Sequence, residues 1–304
     1  MLNVVTRTEE LRIKLQHILK REYKELGIKS LEVAGSGVQN VVFRGDSETG
    51  SFAFRVPWER EVANINENSF SSRLSLQKEA KLAAFCHSQG IPVPAVHGLH
   101  LSEELDFLIS DYITADSTPI SSYKIGELAN KLHRMPIEDL QYENENGKST
   151  EKHIAERLVK RLQSFNEITS LRIQFPKAEE IEAILMEGEQ VKRLLHMDIR
   201  PANIIGHGGK IQAIVDWDNT LICHPLLELM RIAEVNEVNW SEFKAGYKNE
   251  HIFDSLPKII CLFYRLDTAV MLANLFISQL KLEDKGLHYK ERVEVISNEI
   301  HKML

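Results

Sequence analysis

Asp198, Asn203 and Asp216 are the residues whose types and spacing best suit chemistry in this chain. They lie in Leu195-His196-Met197-Asp198-Ile199-Arg200-Pro201-Ala202-Asn203 and, after a short interval, Ile214-Val215-Asp216-Trp217. The pattern is H-x-D-x-x-x-x-N, then two apolar residues and an acid. Phosphoryl transfer from a nucleotide calls for such groups: a carboxylate to orient a hydroxyl and accept its proton, and oxygen ligands for magnesium. The step from Asp198 to Asn203 suits a tight loop that aims both side chains at one cavity. Between Asn203 and Asp216 stand Ile204-Ile205, Gly206-His207-Gly208-Gly209 and Ile211 to Val215, which read as a β-hairpin whose second strand delivers Asp216. Asp and Asn are also common turn residues, so it is the coincidence of all three with two strands and a turn that marks a site.

The segment resembles the catalytic and metal-binding loops of the aminoglycoside phosphotransferase-like kinases, relatives of the protein kinases that act on small molecules. Their pattern is approximately H-G-D-[IL]-[HN]-P-x-N followed by I-D-[WF], and His196, Asp198, Pro201, Asn203, Asp216 and Trp217 stand in register with it. Met197 stands where Gly is usual, which bears on the loop backbone. Arg200 replaces His or Asn and brings a positive charge near the phosphates or the acceptor. The resemblance covers most of residues 30–280 and is strongest at 195–218. It implies an α+β, bilobal protein-kinase-like fold: a small antiparallel-sheet lobe over 1–113 and a larger, mainly helical lobe over 114–304. It also implies transfer of the γ-phosphate of ATP or GTP to a hydroxyl of a small molecule. Asp198 would be the base, Asn203 and Asp216 the Mg2+ ligands and His196 a brace for the loop, with Arg200 and Asp218 auxiliary. Acceptors in the family include aminoglycosides, other antibiotics, choline, methylthioribose and amino-acid-like metabolites. A nucleotide-binding regulatory module without transfer activity is the alternative class.

The upstream half is weaker residue by residue. Gly35-Ser36-Gly37-Val38-Gln39-Asn40 sits between two expected strands, where glycine lets backbone N–H groups approach phosphates and Asn40 can cap the loop. No G-K-[ST] follows, so this is not a P-loop. In the resemblance, Arg55 on the third strand contacts the nucleotide phosphates and Glu79 on the next helix holds it; a guanidinium can bind phosphate and carboxylate together. Asp111, Tyr112 and Ile113 fall where the family has its adenine-binding hinge. His133 reads as a packing or hydrogen-bonding residue.

The elements that must position these groups follow from periodicity. Thr8 to Glu25 is an amphipathic helix; Leu31 to Ala34, Val41 to Arg44 and Ser51 to Val56 are short strands joined by Gly-rich turns. A helix over Leu74 to Ser88 precedes strands Val96 to Leu101 and Asp106 to Tyr112. Beyond them helices are expected over Ile125 to Arg134, Thr150 to Asn166, Ala178 to Glu187, Pro225 to Val235, Trp240 to Lys248, Pro257 to Leu282 and Tyr289 to Met303. The polar stretch Asp139 to Lys152 reads as a mobile insertion.

At 304 residues the chain is long enough for two lobes. A net charge of −7 argues against a nucleic-acid partner. It is compatible with a cationic acceptor, for which Glu228, Glu234, Glu237 and Asp267 are candidate contacts, and equally with ordinary solubility. The three cysteines show no C-x-x-C pairing and read as thiols in a reducing compartment. The amino terminus lacks a secretory core, and the apolar run Ile259 to Leu280 is interrupted by Arg265 and Asp267, so a core helix, no membrane and a cytoplasmic location are expected. No H-E-x-x-H helix or G-x-S-x-G elbow competes with the kinase reading.

Overall fold

The computed structural model describes residues 2–64, 67–140, 149–189 and 191–304. In chain order the elements are α1 (Leu2–Glu22), β1 (Ser30–Ser36), β2 (Asn40–Asp46), β3 (Ser51–Pro57), β4 (Glu61–Asn64), β5 (Glu67–Ser71), α2 (Ser72–Ser88), β6 (Val96–His100) and β7 (Phe107–Asp111). Then come α3 (Ser122–His133), α4 (Thr150–Thr169), α5 (Ala178–Met186), β8 (Arg193–Leu195), β9 (Ile204–His207), β10 (Lys210–Ile214) and β11 (Leu221–Cys223). The chain finishes with α6 (Leu226–Val235), α7 (Trp240–Tyr247), α8 (Lys258–Asn274) and α9 (Glu283–His301). The fold is α+β, with a five-stranded antiparallel sheet ordered β1-β2-β3-β7-β6 and a helical C-terminal part.

Two compact units account for the packing. The first comprises Met1–Val62, Ser69–Pro119 and Ile204–Asp218; the second comprises Ala63–Asn68, Ile120–Asn203 and Asn219–Leu304. In the first, β2 alternates inward and outward, and its Val41 and Phe43 join Phe54, Val56, Phe107 and Ile109 on one face of the sheet. Leu11, Leu15, Ile18 and Leu19 of α1, at helical spacing, complete that core. Each such buried side chain contributes about 1.5–3 kcal/mol. The hairpin β9–β10 is tied to the same unit through Ile214 N–H to Pro92 O (2.8 Å) and Asp116 N–H to Gly206 O (3.0 Å).

In the second unit α8 packs against α4, α6 and α9, burying Phe263, Leu266, Ala269, Val270 and Ala273. Asp267 lies on that buried face and is held by Arg157 Nη2 at 2.6 Å and Arg161 Nη1 at 2.7 Å. α3 and α7 cross at backbone contact: a Cβ on Gly126 would stand 2.1 Å from the Phe243 carbonyl oxygen, and one on Gly246 1.9 Å from that of Tyr123. Only glycine permits that approach.

Several element boundaries differ from expectation. α1 begins at Leu2, not Thr8, because nothing in Leu2–Arg7 breaks a helix. The helix expected over Pro257 to Leu282 ends at Asn274 and continues as a π-helical turn, Leu275–Gln279, and α9 starts at Glu283. β4, β5, β8 and β11 were not foreseen. Of the polar stretch Asp139 to Lys152, residues 141–148 lie outside the described residues, and Thr150 already begins α4 behind the Ser149 cap.

Candidate active site

The first unit gathers acids around one guanidinium. Arg55 lies within β3, in register with Val42 of β2 and Leu108 of β7, so its backbone is paired on both sides. Its Nη1 donates to Glu79 Oε2 of α2, and its Nη2 donates to Asp218 Oδ2 at 2.8 Å and to Asp216 Oδ1 at 3.2 Å. Arg55, Glu79 and Asp218 are nearly enclosed, whereas the Asp216 side chain is 41% exposed. With its amide oxygen turned toward β3, Asn40 accepts from Arg55 Nη2 at 2.8 Å and Nε at 3.2 Å. Ser75 donates to Asp218 Oδ1, and Lys78 Nζ donates to the Asp218 carbonyl at 2.8 Å.

Burial pushes the Glu79 carboxyl up to about 7; Arg55 pulls against this, and the Asp218 and Asp216 charges add to it. Burial opposes the charge on Arg55, but the Glu79, Asp218 and Asp216 carboxylates outweigh it and hold the guanidinium firmly protonated. Asp218, read from the sequence as an auxiliary group, is a nearly enclosed member of this network.

The glycine turn lies between β1 and β2, where Gly37 N–H donates to Asn40 O at 2.8 Å and Trp58 Nε1 donates to Gly37 O at 3.0 Å. A Cβ on Gly35 would meet nothing within 4 Å, and one on Gly37 only Asn40 O at 3.9 Å. Packing within the protein therefore does not require glycine there. Ser36 closes β1 at the edge of the sheet. At the expected hinge, the Asp111 and Tyr112 amides are already engaged by Ala95 O (2.9 Å) and Ser51 O (3.0 Å). Among the described residues the Ile113 amide has no such backbone partner, so of these three N–H groups it is the one open to a ligand.

The second unit inverts this charge pattern around Asp198. Its Oδ2 accepts from Asn203 Nδ2 at 2.7 Å and stands 3.4 Å from Arg200 Nε, and its Oδ1 is 3.5 Å from Arg231 Nη2. Asp198 N–H donates to His196 Nδ1 at 3.2 Å. Burial would raise the Asp198 carboxyl, but Arg231, Arg200, His196 and the Asn203 hydrogen bond together hold it below the usual carboxylate range. It is an ionised acceptor at neutral pH.

The loop is braced from α6. Glu228, fully buried, accepts from the His196 amide at 3.2 Å and from the Met197 amide. His133 Nε2 donates to Glu228 Oε2 at 2.7 Å, and the Tyr247 hydroxyl meets His133 Nδ1 at 2.9 Å. Met197 adopts φ 64°, the left-handed region that the glycine of the resembling pattern enters without strain.

Three of the four acids considered as cation contacts do not serve that purpose. Glu228 is the loop clamp, Glu234 is held by Arg265 (2.8 Å) and Arg292 (2.6 Å), and Asp267 by Arg157 and Arg161. Glu237 is half-buried, 3.6 Å from Arg200 Nη1. Arg231 was missed in the sequence, and its one signal was its place one turn after Glu228 on the same apolar helix.

For magnesium the donors fit in type. Asp216 offers carboxylate oxygen on a half-open side chain, and Asn203 commits its Nδ2 to Asp198, while among the described residues no hydrogen bond engages its Oδ1, an oxygen of the type a cation takes. Among the described residues no group of three or more His, Cys, Asp or Glu could hold a metal, so these are not dedicated cages. Magnesium commonly takes one or two protein ligands together with phosphate oxygens.

Residues 30–255 match the model of a phosphotransferase enzyme family. No curated protein matches the sequence. Among solved structures, a choline/ethanolamine kinase family protein from Mesorhizobium loti is 17% identical, covers 95% of this chain and 94% of its own, and superposes with a TM-score of 0.59. A thermostable mutant of the aminoglycoside phosphotransferase APH(4)-Ia, in ternary complex with AMP-PNP and hygromycin B, is 13% identical over 94% of this chain and 98% of its own, TM-score 0.63. A GDP complex of an aminoglycoside 2'-phosphotransferase-IIIa variant is also 13% identical, over 95% and 98%, TM-score 0.61. These likenesses show the fold.

Proposed function

Because the chain belongs to the phosphotransferase enzyme family, we propose that it moves the γ-phosphate of ATP or GTP to a hydroxyl group of a small molecule. The observation that carries this reading is the Asp198 carboxylate, kept ionised by Arg231, Arg200 and Asn203 on a loop clamped by buried Glu228. Asp198 orients the acceptor hydroxyl and takes its proton as the bond to phosphorus forms; a weak base suffices because that transition state is loose. Asn203 and Asp216 are the groups that would hold Mg2+, which when bound neutralises charge on the phosphates. Arg55, steadied by Glu79, meets the phosphates, and the Gly35–Asn40 turn covers them with backbone N–H groups. His196 braces the loop. The structures of relatives with AMP-PNP or GDP support a nucleotide co-substrate.

The test is magnesium-dependent ATP and GTP turnover over a panel of hydroxylated small molecules, aminoglycosides and choline included, in wild type, Asp198→Ala and Asp216→Ala. Asp198→Ala should cut kcat by about 10²- to 10⁴-fold with nucleotide affinity little changed. Asp216→Ala should weaken magnesium-nucleotide binding as well. Wild-type rates in both variants would remove these roles.

A further inference from the structure

The surroundings of Asp198 also bear on the acceptor. Arg231 is 8% exposed, yet its guanidinium is poorly satisfied. Nη2 reaches Asp198 only at 3.5 Å, Nη1 faces the weakly accepting Met271 Sδ at 3.3 Å, and among the described residues the buried Nε has no hydrogen-bond partner; Asp267, which feels the Arg231 charge, is bonded to Arg157 and Arg161 instead. Arg200 is held as loosely: its Nε stands 3.4 Å from Asp198 Oδ2 without a hydrogen bond among the described residues, and its side chain is 39% exposed. A buried donor left unmade is costly, and a buried guanidinium more so, so such groups are normally matched by an oxyanion. Glu237, 3.6 Å from Arg200 Nη1, is a loosely held carboxylate that an incoming anion can replace. The acids that could have received a cation, Glu228, Glu234 and Asp267, are buried on partners of their own.

We propose that Arg231 and Arg200 form an oxyanion subsite beside Asp198, and that the phosphate acceptor is an anionic alcohol carrying a carboxylate or a phosphate a few bonds from the reacting hydroxyl. This rests on Asp198 being the group that orients the hydroxyl. The subsite fixes the acceptor by its charged end and leaves the hydroxyl to Asp198, so uncharged and cationic alcohols of the same size are disfavoured.

The experiment uses the full chain with Mg-ATP or Mg-GTP and matched probes. Hydroxy acids such as glycerate and hydroxyalkyl phosphates such as glycerol 3-phosphate are set against glycerol, choline and kanamycin. Comparing the first two tells carboxylate from phosphate. Anionic probes should exceed glycerol in kcat/KM, and Arg231→Gln should raise KM for the preferred anion by about ten- to a hundredfold while changing KM for glycerol far less. Arg200→Gln, at a more open position, should do the same to a smaller degree if Arg231→Gln folds poorly, and Arg231→Lys should restore part of the preference. Choline or kanamycin as the best acceptor overturns the proposal. A fall in kcat shared by all acceptors is expected from the loss of charge beside Asp198; an equal rise in KM for glycerol and for the anions overturns the proposal, because the guanidiniums would then serve Asp198 alone. Binding separates this idea from the kinase reading. If no probe is phosphorylated, a thermal shift by the anions that Arg231→Gln and Arg200→Gln abolish keeps the subsite and refutes transfer. No arginine-dependent shift from any anion ends the subsite.

Discussion

Around Arg55 three carboxylates, from Glu79, Asp216 and Asp218, converge on one guanidinium, whereas around Asp198 two guanidiniums, an imidazole and an amide converge on one carboxylate. The first cluster has more acid than its cation can neutralise, and so one carboxyl, Glu79, is pushed up by burial and by its neighbours. The second has more base than acid, and its carboxylate is held down. The clusters also differ in construction. Arg55 is held by side chains far apart in sequence, while Asp198 and Asn203 share one loop whose backbone is gripped from behind by Glu228. An acid-rich cluster is suited to receive cations, and a base-rich one to receive an anion.

The largest effect is expected from removing the grip. Glu228→Ala strands the His196 and Met197 amides and the His133 Nε2 donor in a fully buried space. Loss of one member of such a buried network costs about 3–5 kcal/mol. Urea denaturation should show it, together with a fall in kcat. A loss below about 0.5 kcal/mol, within the range of an ordinary surface change, would mean that the loop holds its own shape.

The opposite charge balances should give opposite pH responses. Glu79 has a folded-state value raised from 4.5 to about 7, so its contribution is present below 4.5 and is lost as pH rises through about 7. Asp198 and Asp267 are lowered from 3.8, so their contributions are present above that value and are lost as pH falls through the lower folded values. Glu79→Gln, which imitates the protonated carboxyl, should therefore gain on wild type between pH 5 and 8, by about 1–3 kcal/mol in magnesium-free buffer. Unfolding free energies measured across that range check it, and parallel curves would deny that Glu79 titrates there.

What could be read from the sequence follows this division. Asp198, Asn203 and Asp216 stood out because they lie close together in the chain and between strand-like runs, where spacing carries information. Glu228, Glu234 and Asp267 misled because a charge in a sequence does not declare its burial. Asp267 did leave a trace: it falls among Phe263, Leu266, Ala269 and Val270 on the buried face of α8, and its partners Arg157 and Arg161 are one helical turn apart on α4. β8 and β11, of three residues each, are too short for any period to register. The involvement of Ser75 and Lys78 with Asp218, across some 140 positions, has no local signature.

Met197 offers the finest probe of the Asp198 loop. Its φ of 64° costs a residue bearing Cβ about 1–2 kcal/mol, and its side chain, 2% exposed, returns about 1.5–3 kcal/mol by burial. Met197→Ala keeps the strain and loses the burial. Met197→Gly loses the burial too but removes the strain, at an unfolded-state entropy cost of about 0.4–1 kcal/mol. The glycine variant should therefore be the more stable of the two by up to about 1 kcal/mol, the reverse of the order at a helical position. Paired melting curves decide it: alanine above glycine would place this loop outside the left-handed region, and with it the account of how the Met197 amide is turned toward Glu228.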